Sequence, residues 1–370
     1  MRKRALILLL AGIVGAPTLA ATYYLTLDVP AELTAAGMTF PGSIVLHDTT
    51  MTGYTPQLGL PAGTAIAGLH IMNSGEWLLS VETPTQLGGT TWFPQDVLRY
   101  NQASGTFTCF FSGAAAGLPI SAGVDVVFLP LGDSGPLVLS FKTPTIIGGT
   151  TYFPSDLVQF SPTGAACTGW TFSGVYFDAS AASPPIPPNA NLTSAARLGA
   201  NIIMSFDVPM TLGSTTYFPG DLVSYAPLTK TFSLFYRDAT WPVRARVNGL
   251  TFPTAGSIPD STPLTVTFNR TSGNLTLSWG PSCPQAAYNV YEGTLGARFA
   301  YNHTAKFCLV PGTIGIGGTV TFSAPPGNTY YLVAPSNSLV EGSYGHASNN
   351  TEIPAAALSC RPQQIATACP

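Results

Sequence analysis

The stretch Thr143-Pro-Thr-Ile-Ile-Gly-Gly-Thr-Thr-Tyr-Phe-Pro-Ser-Asp-Leu-Val-Gln-Phe160 has two close copies in the same chain. Residues 83–100 read Thr-Pro-Thr-Gln-Leu-Gly-Gly-Thr-Thr-Trp-Phe-Pro-Gln-Asp-Val-Leu-Arg-Tyr. Residues 208–225 read Val-Pro-Met-Thr-Leu-Gly-Ser-Thr-Thr-Tyr-Phe-Pro-Gly-Asp-Leu-Val-Ser-Tyr. A fourth, worn copy runs from Val29-Pro30 to Phe40-Pro41. Internal repetition at this period means stacked units that bury one another's apolar faces.

The apolar strand ahead of each copy begins at Leu25, Leu79, Leu139 and Met204, intervals of 54, 60 and 65 residues. Each unit carries four short strand signals separated by turn residues. In the third unit these are Val124–Leu129, Leu137–Phe141, Asp156–Phe160 and Trp170–Phe172. Four strands per unit make a propeller blade. The chain enters on the second strand type, at Tyr23–Leu27, so the first unit lacks its opening strand. Arg246–Phe252 has the composition to supply it, closing the ring and covering a bare sheet edge. The expected fold is therefore all-β, a four-bladed β-propeller-like domain over residues 21–255.

Within each unit the recurring residues have local roles. Gly88-Gly89 and Gly148-Gly149 supply φ > 0 in a tight turn. Pro94, Pro154 and Pro219 precede a strand, where a missing N–H does little harm. Asp96, Asp156 and Asp221 follow two residues later and accept backbone N–H bonds in an Asx turn. Trp92, Tyr152 and Tyr217 are expected to anchor the packing between blades. These six residues, with Asp28, Glu82 and Asp207 at one repeat position, are the candidate binding residues. Lys142 takes that position in the third unit and breaks any symmetric ring of carboxylates. Three carboxylates near a funnel are the one place for Ca²⁺; otherwise no cofactor and no metal site is expected.

The units resemble a repeat of secreted bacterial proteins that pairs a Leu-Ser-Phe-Asp strand with a Gly-rich turn and an Asp-Leu-Val strand. The aromatic-Asp-Gly ending of that repeat appears here as Phe111-Ser112-Gly113, Phe172-Ser173-Gly174 and Tyr236-Arg237-Asp238. The resemblance implies architecture rather than an activity.

After a Pro-rich linker at residues 256–262 the pattern changes. Strand signals at Leu264–Phe268, Leu275–Trp279, Tyr288–Tyr291, Thr319–Phe322 and Thr329–Ala334 predict a β-sandwich over residues 263–354. Trp279 and the Tyr-rich strands resemble fibronectin type III. Tyr291-Glu-Gly-Thr-Leu-Gly296 and Glu341-Gly-Ser-Tyr-Gly345 resemble the C-terminal sandwich of exported bacterial repeat proteins. Residues 355–370 form a tail. Such modules space other domains or bind proteins and sugars, and the fold does not fix which.

Only 8% of residues are charged and the net charge is −3. This gives no electrostatic footprint for nucleic acid. Arg2, Lys3 and Arg4, an apolar run from Ala5 to Val14 and Thr18-Leu-Ala20 read as a signal peptide over residues 1–20, cleaved before Ala21. The run is short for a span and no later stretch is long enough. A secreted chain, extracellular or periplasmic and monomeric, is the expectation. The six cysteines then form disulfides. Local spacing suggests Cys283 with Cys308 and Cys360 with Cys369, which leaves Cys109 with Cys167. Sequons at Asn191, Asn269, Asn274, Asn302 and Asn349 mark polar, exposed loops.

No H-E-x-x-H, Gly-x-Ser-x-Gly, Walker or dinucleotide motif is present. His47, His70, His303 and His346 read as packing or surface residues, and no residue is assigned a catalytic role. The expected function is a non-catalytic binding, adhesion or scaffold module for an extracellular protein or glycan. The alternative is a secreted carbohydrate-active hydrolase or lyase with carboxylates drawn from several blades.

Overall fold

The computed structural model describes residues 21–365 except 50–52, 62, 73, 132, 134, 243, 254–263, 283–286, 296–299, 314–315, 338, 349–350 and 357. The expected signal peptide at residues 1–20, the expected linker at 256–262 and residues 366–370 lie outside it. The described chain is almost entirely strand and turn, with one three-residue 3₁₀ turn at Ala179–Ala181.

Four four-stranded antiparallel sheets account for the repeats. The first contains Val247–Thr251, Thr22–Leu27, Ser43–Asp48 and Tyr54–Gly59, and the second Ile66–Ile71, Trp77–Val81, Val97–Asn101 and Thr106–Phe111. The third contains Val124–Phe128, Leu137–Phe141, Leu157–Pro162 and Trp170–Phe177, and the fourth Leu192–Leu198, Asn201–Phe206, Leu222–Ala226 and Thr231–Tyr236. In every sheet the strand given first is innermost. Each innermost strand packs on the innermost strands of the two adjacent sheets, so the four surround one axis. The arrangement is propeller-like.

The first sheet draws on both ends of the repeat region. Leu25 lies opposite Leu250, and Leu27 opposite Val247. Val247, Leu250 and Phe252 are buried in a cluster that includes Leu25, Val45, Ala196, Ile203 and Leu222. This cluster joins the first sheet to the fourth. The inner strands approach closely enough to exclude a side chain at Gly249, where a Cβ would sit 2.7 Å from that of Leu69.

Each repeat also projects a small hairpin between its second and third sheet strands: Ala31–Leu33 with Gly37–Thr39, Thr85–Leu87 with Thr90–Trp92, Thr145–Ile147 with Thr150–Tyr152, and Met210–Leu212 with Thr215–Tyr217. Gly88, Gly89, Gly148 and Gly149 turn two of them, all at positive φ. A side chain there is strained in any environment.

Strands 265–269, 274–279 and 317–323 pair with one another, as do 304–313, 287–294 and 329–336. Among the described residues the two groups are hydrogen-bonded to each other only where Gly312 and Thr313 pair with Gly318 and Gly317. The strand Thr304–Thr313 has no counterpart among the sequence-derived signals. Leu277, Trp279, Tyr288, Val290 and Val333 form the core between the groups. Glu341 of the Glu-Gly-Ser-Tyr-Gly motif is fully buried. It accepts hydrogen bonds from the Tyr291 and Tyr344 hydroxyls and, at 2.6 Å, from Asn289 Nδ2. Three donors on one carboxyl group satisfy polar atoms whose burial without partners would cost several kcal/mol.

The cysteine pairing differs in part from the spacing argument. Cys109 bonds to Cys167, joining the second and third sheets. Cys308 bonds to Cys360, not to Cys283, and so Cys360 does not pair with Cys369. Spacing fails because sheet register brings Cys308 beside the returning tail; Cys283 and Cys369 lie outside the described residues. The tail continues to the repeat region. Gln364 Oε1 accepts from Thr22 N at 3.1 Å, and its Nε2 donates to Pro253 O at 2.5 Å. One buried side chain thus touches both ends of the repeat region.

Candidate functional site

Within each sheet the second strand runs antiparallel to the innermost strand, so its end lies beside the start of that strand. The backbone contacts there repeat four times. Asp28 N donates to Arg246 O at 3.0 Å, Glu82 N to Ala65 O at 2.9 Å, Lys142 N to Gly123 O at 2.7 Å and Asp207 N to Asn191 O at 3.0 Å. These residues surround the axis at one end of the ring. Asp28, Glu82, Asp125, Lys142, Asn191, Thr193, Arg246 and Asn248 line a polar funnel of about 370 Å³.

Identical backbone geometry carries different side chains. Asp28 accepts from Arg246 N at 2.6 Å and from its Nε at 2.8 Å. Asp207 accepts from Asn191 N at 2.9 Å. The longer Glu82 accepts from Asn248 Nδ2 at 2.8 Å and pairs with Lys142. Lys142 Nζ also lies 3.6 Å from Asp125 Oδ1. Burial pushes the Asp125 carboxyl up to about 7, against the pull of Lys142 and of the Asn191 amide, which donates to it at 2.6 Å. Asp125 does not belong to the repeat position that the sequence singled out; it enters from the innermost strand of the third sheet. Asn191, expected on an exposed loop as a sequon, is half-buried in the funnel instead.

The three carboxylates considered for Ca²⁺ do not fit a calcium site. Asp28 and Glu82 each face a cation of the chain, and Asp207 is held by a backbone N–H. Among the described residues no three acidic, histidine or cysteine side chains converge on one point. Calcium needs six to eight oxygen ligands without competing cations.

Asp96, Asp156 and Asp221 lie in the turns. Each accepts the backbone N–H three residues before it, from Phe93 at 3.3 Å, Phe153 at 2.8 Å and Phe218 at 2.7 Å. Ser43 does the same for Phe40 at 3.1 Å in the worn copy. The second oxygen of Asp96 and of Asp156 accepts from Gly113 N and Ala179 N, both at 3.0 Å. Burial raises both carboxyls above the usual range, and these N–H groups oppose it. Asp221 takes the Arg237 guanidinium instead, at 2.6 and 2.5 Å.

Trp92 and Tyr217 are buried, and Tyr152 is half-buried against Phe172. None of the three projects from the face. The exposed aromatic is the next residue in every repeat: Phe40, Phe93, Phe153 and Phe218 are 58%, 37%, 41% and 49% exposed. Sequence reasoning passed over them. The period-2 alternation along Thr-Thr-Trp-Phe and Thr-Thr-Tyr-Phe was the available signal, since inward Trp or Tyr turns the following Phe outward. The proline after three of the four, Phe40, Phe93 and Phe153, ties this rim to the funnel. Pro41 O accepts from Ile66 N at 3.3 Å, Pro94 O from Val124 N at 2.8 Å and Pro154 O from Leu192 N at 3.2 Å. Each donor opens the innermost strand of the next sheet. The phenylalanines therefore surround the funnel mouth on one face.

No family model matches the chain, and no curated protein matches it. Among solved structures it is similar to YCF48 from Cyanidioschyzon merolae, with 10% identity over 67% of this chain and 63% of that one, at a TM-score of 0.27. PorZ, a surface component of the type-IX secretion system of Porphyromonas gingivalis, shows 11% identity over 82% of this chain and 49% of its own, at 0.29. The PQQ-bound aldose sugar dehydrogenase of Streptomyces coelicolor shows 12% identity over 75% of both chains, at 0.28. At such values nothing about ligand or activity follows. Among the described residues no helix is long and apolar enough to cross a membrane.

Proposed function

We propose that this chain is a secreted or cell-surface, non-catalytic binding module. Its four sheets are the blades of a four-bladed propeller over residues 21–255. The propeller presents the funnel face to an extracellular protein or glycan, and a fibronectin type III-like sandwich over residues 263–354 displays it. The observation that carries this reading is the ring of Phe40, Phe93, Phe153 and Phe218, exposed at one repeat position around a polar funnel. Large apolar side chains held in water at equivalent positions mark an interaction surface better than scattered ones do. The funnel carboxylates support binding over acid–base work, because Lys142 and Arg246 hold Glu82 and Asp28 as ion pairs.

One observation favours the second reading, a carbohydrate-active enzyme. Asp125, pushed up to about 7, shares the funnel with Glu82, as an acid and its carboxylate partner would. Two measurements separate the readings. The mature protein is expected to bind cell-surface material, and replacing Phe93 and Phe153 together with serine to abolish that binding while the protein stays folded at the assay temperature. Robust turnover in a hydrolase and lyase screen, lost in Asp125→Asn, would establish the enzyme instead.

A further inference from the structure

The funnel floor has a specific unmet demand. Thr193 is 5% exposed and lines the funnel, yet its hydroxyl has no partner within the chain. The side-chain carbonyl of Asn191 beside it is likewise buried without a donor. Buried polar atoms left unpaired cost roughly 1–3 kcal/mol each; both oxygens have almost no accessible surface, so a ligand completes their bonding by turning the two side chains toward the funnel. Around them donors and acceptors alternate. Asn248 donates to Glu82, Asn191 donates to Asp125, and Lys142 lies between the two carboxylates. Charges there are nearly balanced, so the floor offers closely spaced hydrogen-bonding groups without a strong field of one sign.

A ligand matching this floor must donate and accept hydrogen bonds from neighbouring atoms and carry little charge. Vicinal hydroxyl groups do both. A ligand matching the rim must offer flat apolar patches to phenyl faces. Sugar rings combine the two features, with hydroxyls at the edge and C–H groups on the faces. We propose that the funnel takes the terminal residue of a neutral glycan. Thr193 and Asn191 turn to complete hydrogen bonds to its hydroxyls, while Phe40, Phe93 and Phe153 stack on the residues that follow; Phe218 already carries the Arg237 guanidinium over its ring. This assignment rests on the binding-face reading above and names its ligand class. The rival occupant is a lysine side chain of a partner protein, which would seek the carboxylates and depend on salt.

The test uses the mature chain with all its disulfides. Probes are neutral hexasaccharides of β-1,4-glucose, β-1,3-glucose, α-1,4-glucose, β-1,4-mannose, β-1,4-xylose and β-1,4-N-acetylglucosamine, with hexalysine as the cationic arm. At least one saccharide is expected to bind with an affinity indifferent to salt. Thr193→Val, nearly isosteric, should weaken it about tenfold, the cost of one hydrogen bond to a buried group. Phe93→Ala with Phe153→Ala should abolish detectable binding while the melting transition stays well above the assay temperature. Saccharide binding untouched by these substitutions would overturn the assignment, as would no saccharide binding at all. Salt-sensitive hexalysine binding lost in the same variants would overturn the glycan while leaving the binding face standing. Silence in both arms, with surface binding also absent, would remove both.

Discussion

Replacing Leu250 with alanine tests whether the ring closes through the strand at Val247–Thr251. Leu250 is 1% exposed, lies opposite Leu25, and belongs to the cluster that holds the first sheet against the fourth. Deleting three buried carbons at a joint braced on both sides leaves a cavity that cannot collapse easily. Such truncations cost about 2–5 kcal/mol, and a well-braced site belongs near 3. For a domain of this size each kcal/mol lowers the melting temperature by roughly 2–4 °C, so the expected drop is about 6–12 °C. Leu228→Ala is the control: it is 95% exposed and should change stability by under about 0.5 kcal/mol. Urea unfolding of both variants, followed by tryptophan fluorescence, gives the two midpoints. Ending the chain before Arg246 removes the strand altogether, exposes the Thr22–Leu27 edge and should produce aggregation. If Leu250→Ala unfolds at the same urea concentration as Leu228→Ala, the closing strand carries no stability and the inferred ring is wrong.

Other expectations follow from single contacts. Peptide mapping without reductant should recover Cys109 linked to Cys167 and Cys308 linked to Cys360; replacing both Cys109 and Cys167 with serine should cost about 4 kcal/mol, the closure entropy of a loop that long. Glu341→Leu strands the two tyrosine hydroxyls and the Asn289 amide, so at least about 3 kcal/mol should be lost in denaturant unfolding of the full chain. Asp125 holds its proton to about pH 7 in the native state, whereas the unfolded carboxyl releases it near pH 4. Its contribution to stability is therefore greatest below pH 4 and falls as the pH rises through 7. Asp125→Asn should flatten that part of the profile when unfolding midpoints are compared at pH 5 and pH 8; an unchanged slope would show that Asp125 does not titrate in this way. N-terminal sequencing of exported protein should begin at Ala21, and a mature chain that retains Arg2 to Arg4 would contradict cleavage.

The repeat, its four strands, the paired glycines and the Asp that caps each turn were all legible in the sequence. Each depends on contacts within a few residues or on pairing with the next strand, so similar local sequence dictates similar local geometry: the Asp recurs in three turns, with Ser43 in its place in the worn copy, and paired glycines turn two of the hairpins. The closing strand was legible for a related reason, because a unit that begins on its second strand lacks a partner that must come from elsewhere. The funnel was not. Asp28, Glu82 and Lys142 occupy one repeat position, but Asp125, Asn191 and Thr193 reach them only because four innermost strands share an axis, and no spacing along the chain encodes that meeting. The same reason governs Cys308, whose partner Cys360 is set by where the tail returns rather than by distance in sequence. It governs the exposed phenylalanines too. Alternation orients each one locally, but only the ring gathers four of them around a single mouth.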